Sequence, residues 1–275
     1  MEDCFPRNAS IPKQSPLFWV THKDRYLRQL LIRDIQETTK RDLIVYFTDT
    51  DRSSLSIDGG DDQYLVELLA PCKRGGVDLL LETPGGFTDA TEKICSVLRS
   101  LAPDLRVIVP RRAKSNGTVI ALAGSQIVMS ASSELGPIDP AWNNVPVEFI
   151  LNAPAGTVDA ISLQAASTAK QQTEKLAKQL LETGMMRNNL QAIPDVVSKL
   201  ASRNHYHSHG SVIDVDEAIA LGLQVLKLGL DDDLWRRIWL LRSMYAYDAG
   251  VQNYGKIFEG ELVSSAVSIS KSASA

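Results

Sequence analysis

The chain has 275 residues, enough for one large domain or two small ones. Its composition is 44% hydrophobic and 23% charged, which is typical of a globular protein and excludes collagen-like, coiled-coil and wholly disordered chains. The 29 basic and 33 acidic side chains give a net charge of −4 at pH 7, and this balance argues against nucleic-acid binding.

The first 24 residues carry three prolines without a sustained period, so residues 1–24 are expected to form an extended amino-terminal arm. From Tyr26 to about Lys40, apolar residues recur at spacings of three and four, which predicts a helix. Apolar runs and amphipathic segments then alternate, as strand 43–47, a helix from residue 61 or 62 through 69, strand 77–81, helix 89–101, strand 105–109, helix 116–124 and strand 126–129. This alternation predicts an α/β fold of repeated β-α units, with a parallel sheet flanked by helices.

After Pro140 the regular alternation of apolar runs and amphipathic segments gives way to longer helical segments. The predicted elements are a long helix at 158–182, a helical region at 186–203 interrupted near Pro194, a helix at 214–221, a strand at 224–228 and a helix at 231–245. Residues 249–275 are expected to be a mobile tail, because many of them are serine or other small residues. One domain at residues 25–248 is therefore predicted between the arm and the tail.

The cysteines Cys4, Cys72 and Cys95 form no CxxC pair and predict no disulfide framework. No basic, apolar leader is evident, and the longest apolar stretches are far shorter than the ~20 residues of a spanning helix. We therefore expect a cytoplasmic protein without a transmembrane segment.

Two of the predicted strands are each followed by a turn that contains glycine, at residues 83–86 and 113–118. Ligands collect outside the carboxyl ends of strands in open α/β sheets. The tandem Gly85 and Gly86 would let backbone N–H groups approach a ligand, and Ser115 would be well placed for nucleophilic attack. The alternatives from spacing alone are a helix N-cap for Ser115 and an ordinary tight turn for the glycines.

Four motifs occur in order, at residues 78–86 (DLLLETPGG), 107–110 (VIVP), 113–122 (AKSNGTVIAL) and 135–140 (LGPIDP). Together they resemble the serine dehydrogenase proteinase family, which belongs with signal peptide peptidase A and the Clp protease in the Clp/crotonase superfamily. The resemblance runs from about Tyr26 to Tyr245. It implies a Clp/crotonase-like fold and a homo-oligomeric serine peptidase that acts on peptides or unfolded proteins. No cofactor is implied, and neither GxGxxG nor a P-loop is present.

The resemblance also implies roles for residues of the two turns. Ser115 would be the nucleophile. The oxyanion hole would be formed by the tandem glycines Gly85 and Gly86 and by Asn116, with the backbone N–H groups of Gly86 and Asn116 as its donors. Position 116 departs from the family, in which a small apolar residue is usual, and the change puts an amide side chain beside the nucleophile. Glu82 stands where the family often has histidine or another polar residue.

The identity of the general base is left open by the sequence. Lys170 lies roughly where signal peptide peptidases carry their lysine. The alternative is that Lys170 lies on a solvated helix face and pairs with Glu174, four residues further on. His207 or His209 is the rival base, because this segment lies where Clp-type enzymes place their third triad member. Asp139 could orient such a histidine, or could simply be a turn residue before Pro140.

Three histidines alternate at positions 205, 207 and 209, so an extended segment would point them to one side. A polar loop near the site is favoured over a zinc site, because only Asp214 and Asp216 lie near them as further ligands. The cations Arg111, Arg112 and Lys114 indicate either a solvated turn or a preference for acidic groups. Two other functions fit the same fold, namely an acyl-binding enzyme that is not a peptidase and an inactive scaffold.

Overall fold

Helices and strands alternate along most of the chain, and the computed structural model describes residues 16–52, 54–143 and 145–269. The elements up to residue 135 are α1 (Pro16–Thr21), α2 (Lys23–Thr39), β1 (Asp42–Thr48), α3 (Asp61–Leu69), β2 (Val77–Glu82), α4 (Thr88–Leu101), β3 (Leu105–Ile108), β4 (Arg112–Ala113), α5 (Asn116–Leu122), β5 (Gln126–Met129) and β6 (Glu134–Leu135). The later elements are β7 (Ala141–Trp142), β8 (Val145–Pro146), α6 (Val147–Leu151), α7 (Ala160–Thr183), α8 (Ile193–Leu200), α9 (Val215–Ala220), β9 (Val225–Lys227), α10 (Asp233–Gln252), β10 (Tyr254–Glu259) and β11 (Ser264–Ser268).

Seven strands form the central sheet in the order β11-β10-β1-β2-β3-β5-β9. The run from β1 to β9 is parallel, whereas β10 pairs antiparallel with both β1 and β11. Every residue of β1 and β2 is buried, as expected for parallel strands covered on both faces. The predicted α/β fold with a largely parallel sheet flanked by helices is confirmed.

The sheet separates two hydrophobic cores. Side chains of β1 alternate between them, with Ile44 and Tyr46 in one core and Val45 and Phe47 in the other. Helices α3, α4, α5, α7 and α8 contribute to the first core, and α2 and α10 to the second. Within the described ranges, no helix combines the length and apolarity needed to cross a membrane.

The chain termini differ from the sequence-based expectation. Residues 1–15 lie outside the described residues, and residues 16–21 form α1 rather than an extended arm. The expectation of a mobile tail is wrong for residues 249–269, because α10 continues to Gln252 and the next residues supply β10 and β11 of the central sheet. Residues 270–275 lie outside the described residues.

Buried ion pairs attach β10 to the body of the molecule. The Nζ atom of Lys256 lies 2.8 Å from each carboxylate oxygen of Asp61, and the hydroxyl of Tyr46 donates to the same carboxylate at 2.5 Å. Glu259 accepts two hydrogen bonds from Arg28, at 2.9 and 2.8 Å. Because a buried charge is costly unless it is paired, these contacts require β10 to stay in the sheet.

Candidate active site

Two turns lie side by side at the carboxyl edge of the sheet. The glycine turn (residues 83–86) follows β2, and the serine turn, which contains Ser115, follows β4. Thr83 and Ala113 form a parallel bridge between them. The N–H of Thr83 donates to the carbonyl of Arg112, and the N–H of Lys114 donates to the carbonyl of Thr83, each at 3.1 Å. Backbone hydrogen bonds therefore bring the glycine turn and the serine turn together.

The glycine turn requires glycine at both positions. Gly85 has a φ of +102° and Gly86 a φ of +155°, values that favour glycine. A Cβ on Gly85 would lie 2.8 Å from the Cβ of Ser115 and from the carbonyl oxygen of Lys114, which are prohibitive distances. The glycine backbone therefore packs directly against the serine turn.

Two backbone amides at this contact have no hydrogen-bond partner among the described residues, those of Gly86 and Asn116. The carbonyl of Gly85 accepts a hydrogen bond from the N–H of Ile57 at 2.7 Å. Because the peptide bond between Gly85 and Gly86 is trans, the N–H of Gly86 points away from Ile57. Asn116 is the first residue of α5, and first-turn amides have no partner within their own helix. Both amides are available to a ligand oxygen.

Ser115 precedes α5 in a strained backbone conformation, with φ +52° and ψ −121°. A non-glycine residue at positive φ costs free energy, and such strain occurs at nucleophile turns between strand and helix. The serine is partly exposed, and its side chain makes no capping hydrogen bond. Ser115 therefore occupies the N-cap position of α5, as the alternative interpretation has it, but its side chain does not cap the helix.

The side chain of Asn116 faces the glycine turn. Its Nδ2 atom donates to the carbonyl of Gly86 at 2.5 Å and to Oγ1 of Thr88 at 3.3 Å. The residue is buried. The departure from a small apolar residue at position 116 thus adds a cross-link between the two turns.

Asp139 and His209 form a hydrogen-bonded pair, with Asp139 Oδ1 2.8 Å from His209 Nδ1. The carboxylate is buried, whereas the histidine side chain is 42% exposed. When Nδ1 carries the hydrogen that faces the carboxylate, Nε2 of the neutral ring has a free lone pair. The pair can therefore act as an oriented base.

Short strands bring the segments of this pair beside the serine turn. β6 pairs with β4, and Leu135 of β6 forms a bridge with Ile213, four residues after His209. Next to it, a Cβ on Gly136 would lie 3.5 Å from the backbone N of Ser115, and Oγ1 of Thr118 donates to the Gly136 carbonyl at 2.8 Å. Asp139 and His209 thus belong to segments that both flank the serine turn.

Lys170 lies on α7, with Nζ 3.3 Å from Oε1 of Glu148 and 3.9 Å from Oε1 of Glu174. The predicted contact with Glu174 is present, but Glu148 is the closer partner. Both contacts are ion pairs with carboxylates, so the geometry places Lys170 as a partner of Glu148 and Glu174. The structure groups Lys170 with carboxylates and pairs Asp139 with His209.

The other two histidines of the alternating run, His205 and His207, are exposed. The ring of His205 packs edge-on against Tyr206, with 4.6 Å between the ring centroids. Within the part of the chain that the structure describes, no group of three or more His, Cys, Asp or Glu residues could hold a metal ion.

Acidic partners accompany the cations that precede Ser115. Arg111 pairs with Asp51, and Nε of Arg112 lies 3.6 Å from Oε1 of Glu134. Nζ of Lys114 is 3.4 Å from Oε2 of Glu134 and donates to two backbone carbonyls, and burial lowers the pKa of this ammonium. These ion pairs give no support to a preference for acidic groups.

Sequence reasoning missed two contacts beside the site. Buried Glu82 at the end of β2 binds Arg242 of α10 through two hydrogen bonds of 2.8 and 2.7 Å. Nε of Arg203 donates to Oδ2 of Asp139 at 2.5 Å. No local sequence pattern predicts either contact, because 160 positions separate Glu82 from Arg242 and 64 positions separate Asp139 from Arg203.

Comparison with known proteins places the chain among ClpP-like serine proteinases. A family model described as ClpP-like SDH-type serine proteinase matches residues 57–253, well over half of the chain, and the chain belongs to this family. The family expected from the four sequence motifs is confirmed.

Two uncharacterized proteins of Methanocaldococcus jannaschii are among its relatives. MJ0137 is 30% identical over 191 residues, which are 67% of this chain and 63% of the relative. MJ1495 is 26% identical over 182 residues, which are 64% of this chain and 59% of the relative. The chain therefore spans less than two thirds of the length of these relatives.

Similar solved structures include ClpP1 from Listeria monocytogenes and a point mutant of that protein. Each is 13% identical to this chain. The mutant gives a TM-score of 0.46, covering 72% of this chain and 98% of its own, and ClpP1 gives 0.45, covering 70% and 95%.

Proposed function

We propose that this protein is a serine peptidase that hydrolyses peptides or unfolded proteins with Ser115 as nucleophile. The observation that carries the proposal is the packing of Gly85 against the strained Ser115, beside the amides of Gly86 and Asn116, which have no hydrogen-bond partner within the described part of the chain. A serine hydroxyl and two convergent donors are what acyl transfer requires. Membership of a serine proteinase family supports the same activity.

In the proposed mechanism, His209 accepts the Ser115 proton at Nε2 while Ser115 Oγ bonds to the scissile carbonyl carbon. The carbonyl π electrons move to oxygen, and the amides of Gly86 and Asn116 donate to that oxyanion. Collapse expels the amine, which takes the proton from His209, and leaves an ester on Ser115. Water then attacks the ester by the same route and releases the acid.

We favour His209 over Lys170 and His207 as the base. A hydrogen bond donated by Nδ1–H of His209 to Asp139 would fix the tautomer of the ring and stabilise the ring when it becomes charged. Lys170 has no such support, because its ammonium faces Glu148 and Glu174. His207 is exposed and has no carboxylate contact among the described residues.

The test is labelling by a fluorophosphonate probe, followed by digestion of casein. We expect labelling to vanish in Ser115→Ala and to slow by at least about 100-fold in His209→Ala. Ser243→Ala on α10 is the matched control, since its hydroxyl donates to the helix carbonyl of Trp239. Absence of labelling in the natural protein would favour an inactive scaffold, and acyl turnover that survives Ser115→Ala would favour an acyl-binding enzyme.

Homo-oligomeric assembly and a cytoplasmic location stay predictions from the sequence. Light scattering coupled to size-exclusion chromatography tests the first, and fractionation of the source cells tests the second.

A further inference from the structure

The carboxylate of Asp139 has two partners on its two oxygens. Oδ1 faces His209, whereas Oδ2 accepts Nε of Arg203 at 2.5 Å. Only 3% of the Asp139 side chain and 17% of the Arg203 side chain are exposed. Little water reaches this carboxylate, so the guanidinium of Arg203 is the group that holds Oδ2. This contact restricts how the carboxylate of Asp139 can rotate relative to the histidine ring.

Arg203 is itself fixed by a second carboxylate. Its backbone N–H donates to Oε2 of Glu148 at 2.8 Å, and the other oxygen of Glu148 faces Nζ of Lys170 at 3.3 Å. A continuous series of polar contacts therefore runs from α7 through Glu148 and Arg203 to Asp139 and His209.

We propose that Arg203 is a positioning residue for the Asp139–His209 pair, and that Lys170 acts through Glu148 as a brace for Arg203. This inference rests on the proposed function. A catalytic base must release its proton, whereas a brace must keep its positive charge. The two roles of Lys170 therefore predict opposite responses to a charge-conserving substitution.

The first test replaces Lys170 by arginine and by methionine. Arginine keeps the charge but does not deprotonate in proteins, so Lys170→Arg is expected to keep the labelling rate within about 3-fold. Lys170→Met should slow labelling by about 10-fold, the effect of losing roughly one charged hydrogen bond. Lys178→Met is the matched control, because Lys178 lies on the same helix and pairs with Glu182 at 3.7 Å. Loss of more than about 100-fold in Lys170→Arg would overturn the brace and favour lysine as base.

The second test combines Arg203 substitutions with His209→Ala. Arg203→Met should slow labelling of the natural protein by about 30-fold, and Arg203→Lys should recover part of the rate. In the His209→Ala background the same changes should have no further effect, because residues that act through one another are not additive. Lys199→Met, which removes an exposed ion pair with Asp195, is the control. Full additivity of the two losses would show that Arg203 acts on the general structure.

A third readout does not depend on activity. NMR of protein labelled with 15N-histidine should show a downfield ring N–H proton for His209 that faces Asp139, and Arg203→Met or Arg203→Lys should shift or broaden it. The resonance of exposed His205 should not change in either variant. An unchanged His209 signal in both variants would overturn the positioning role, even if the natural protein proves inactive toward the probe.

Discussion

Gly86 shows how one position in the turn determines the geometry of the site. A Cβ there would lie 2.2 to 2.8 Å from backbone atoms of Ile57, which cannot move as a flexible side chain would. Gly86→Ala should therefore displace the unpaired amide and slow fluorophosphonate labelling by about 100-fold or more, the effect of losing one oxyanion donor. Gly75→Ala is the control, because its Cβ would meet no atom within 4 Å. Equal labelling rates in the two variants would exclude the Gly86 amide from the oxyanion hole.

The proximity of the two turns could be predicted from the sequence because it depends on local backbone. Ser115 and the tandem glycines lie in short sequence motifs. They come close together in space if the two strands that precede them are neighbours and end at the same edge of the sheet. The choice between Lys170 and His209 depends on contacts between distant segments, which a spacing cannot show. An orienting role for Asp139 follows from the family resemblance alone, and the structure supplies its contact with His209.

At the scale of elements, one buried ion pair attaches β2 to α10. Glu82 is fully buried at the strand end that leads into the glycine turn, and Arg242 is its bidentate partner. Among the described residues, Arg242→Met would leave this buried carboxylate with the more distant Arg111 as its cationic partner, at 3.8 Å. The unfolding free energy should therefore fall by about 3–5 kcal/mol.

Urea denaturation measures this loss, with Arg236→Met as the control on an exposed arginine of the same helix. Adding Glu82→Gln to Arg242→Met should recover part of the stability, because the second change removes the unpaired charge. A loss below about 1 kcal/mol for Arg242→Met, the range of exposed ion pairs, would contradict the assignment of a buried pair.

The sequence predicts the parallel strands better than the antiparallel ones for a physical reason. Strands β1 and β2 are buried at every position and β3 at all but Arg106, and most of their residues are apolar, so their burial is visible in composition. β10 is buried too, but it carries Lys256 and Glu259, whose charges are neutralised by Asp61 and Arg28 nearly 200 or more positions away. Such long-range pairing leaves no local pattern, and the serines of β11 read as a tail.

Over the whole molecule, the last strands support the site from the far end of the chain. Lys256 of β10 pairs with Asp61, whose carboxylate also accepts the N–H of Asp58 at 2.9 Å. Ile57, the adjacent residue, holds the glycine turn through the carbonyl of Gly85. Removal of β10 is thus expected to disturb the glycine turn as well as the sheet.

Buried ionisable groups also make the free energy of unfolding of the whole protein fall as the pH becomes alkaline. Burial raises the pKa of the Cys95 thiol from 9.0 to about 12, and burial also raises the pKa of the Tyr46 and Tyr245 hydroxyls. Because the unfolded thiol releases its proton first, this stabilisation is complete below pH 9 and is lost as pH rises toward 12. The partly buried ammonium of Lys114 has a lowered pKa and works in the opposite direction, but it is a single group.

Cys95 alone should therefore account for about 2 kcal/mol of the unfolding free energy lost between pH 8 and pH 10.5. In Cys95→Ala the drop over this interval should be smaller by that amount, although the variant is less stable at both pH values because it loses buried volume. Val97→Ala on the same helix is the control, since Val97 is buried and does not ionise. Urea denaturation at the two pH values measures both drops. The attribution to the buried thiol is contradicted if Cys95→Ala and Val97→Ala lose the same free energy between pH 8 and pH 10.5.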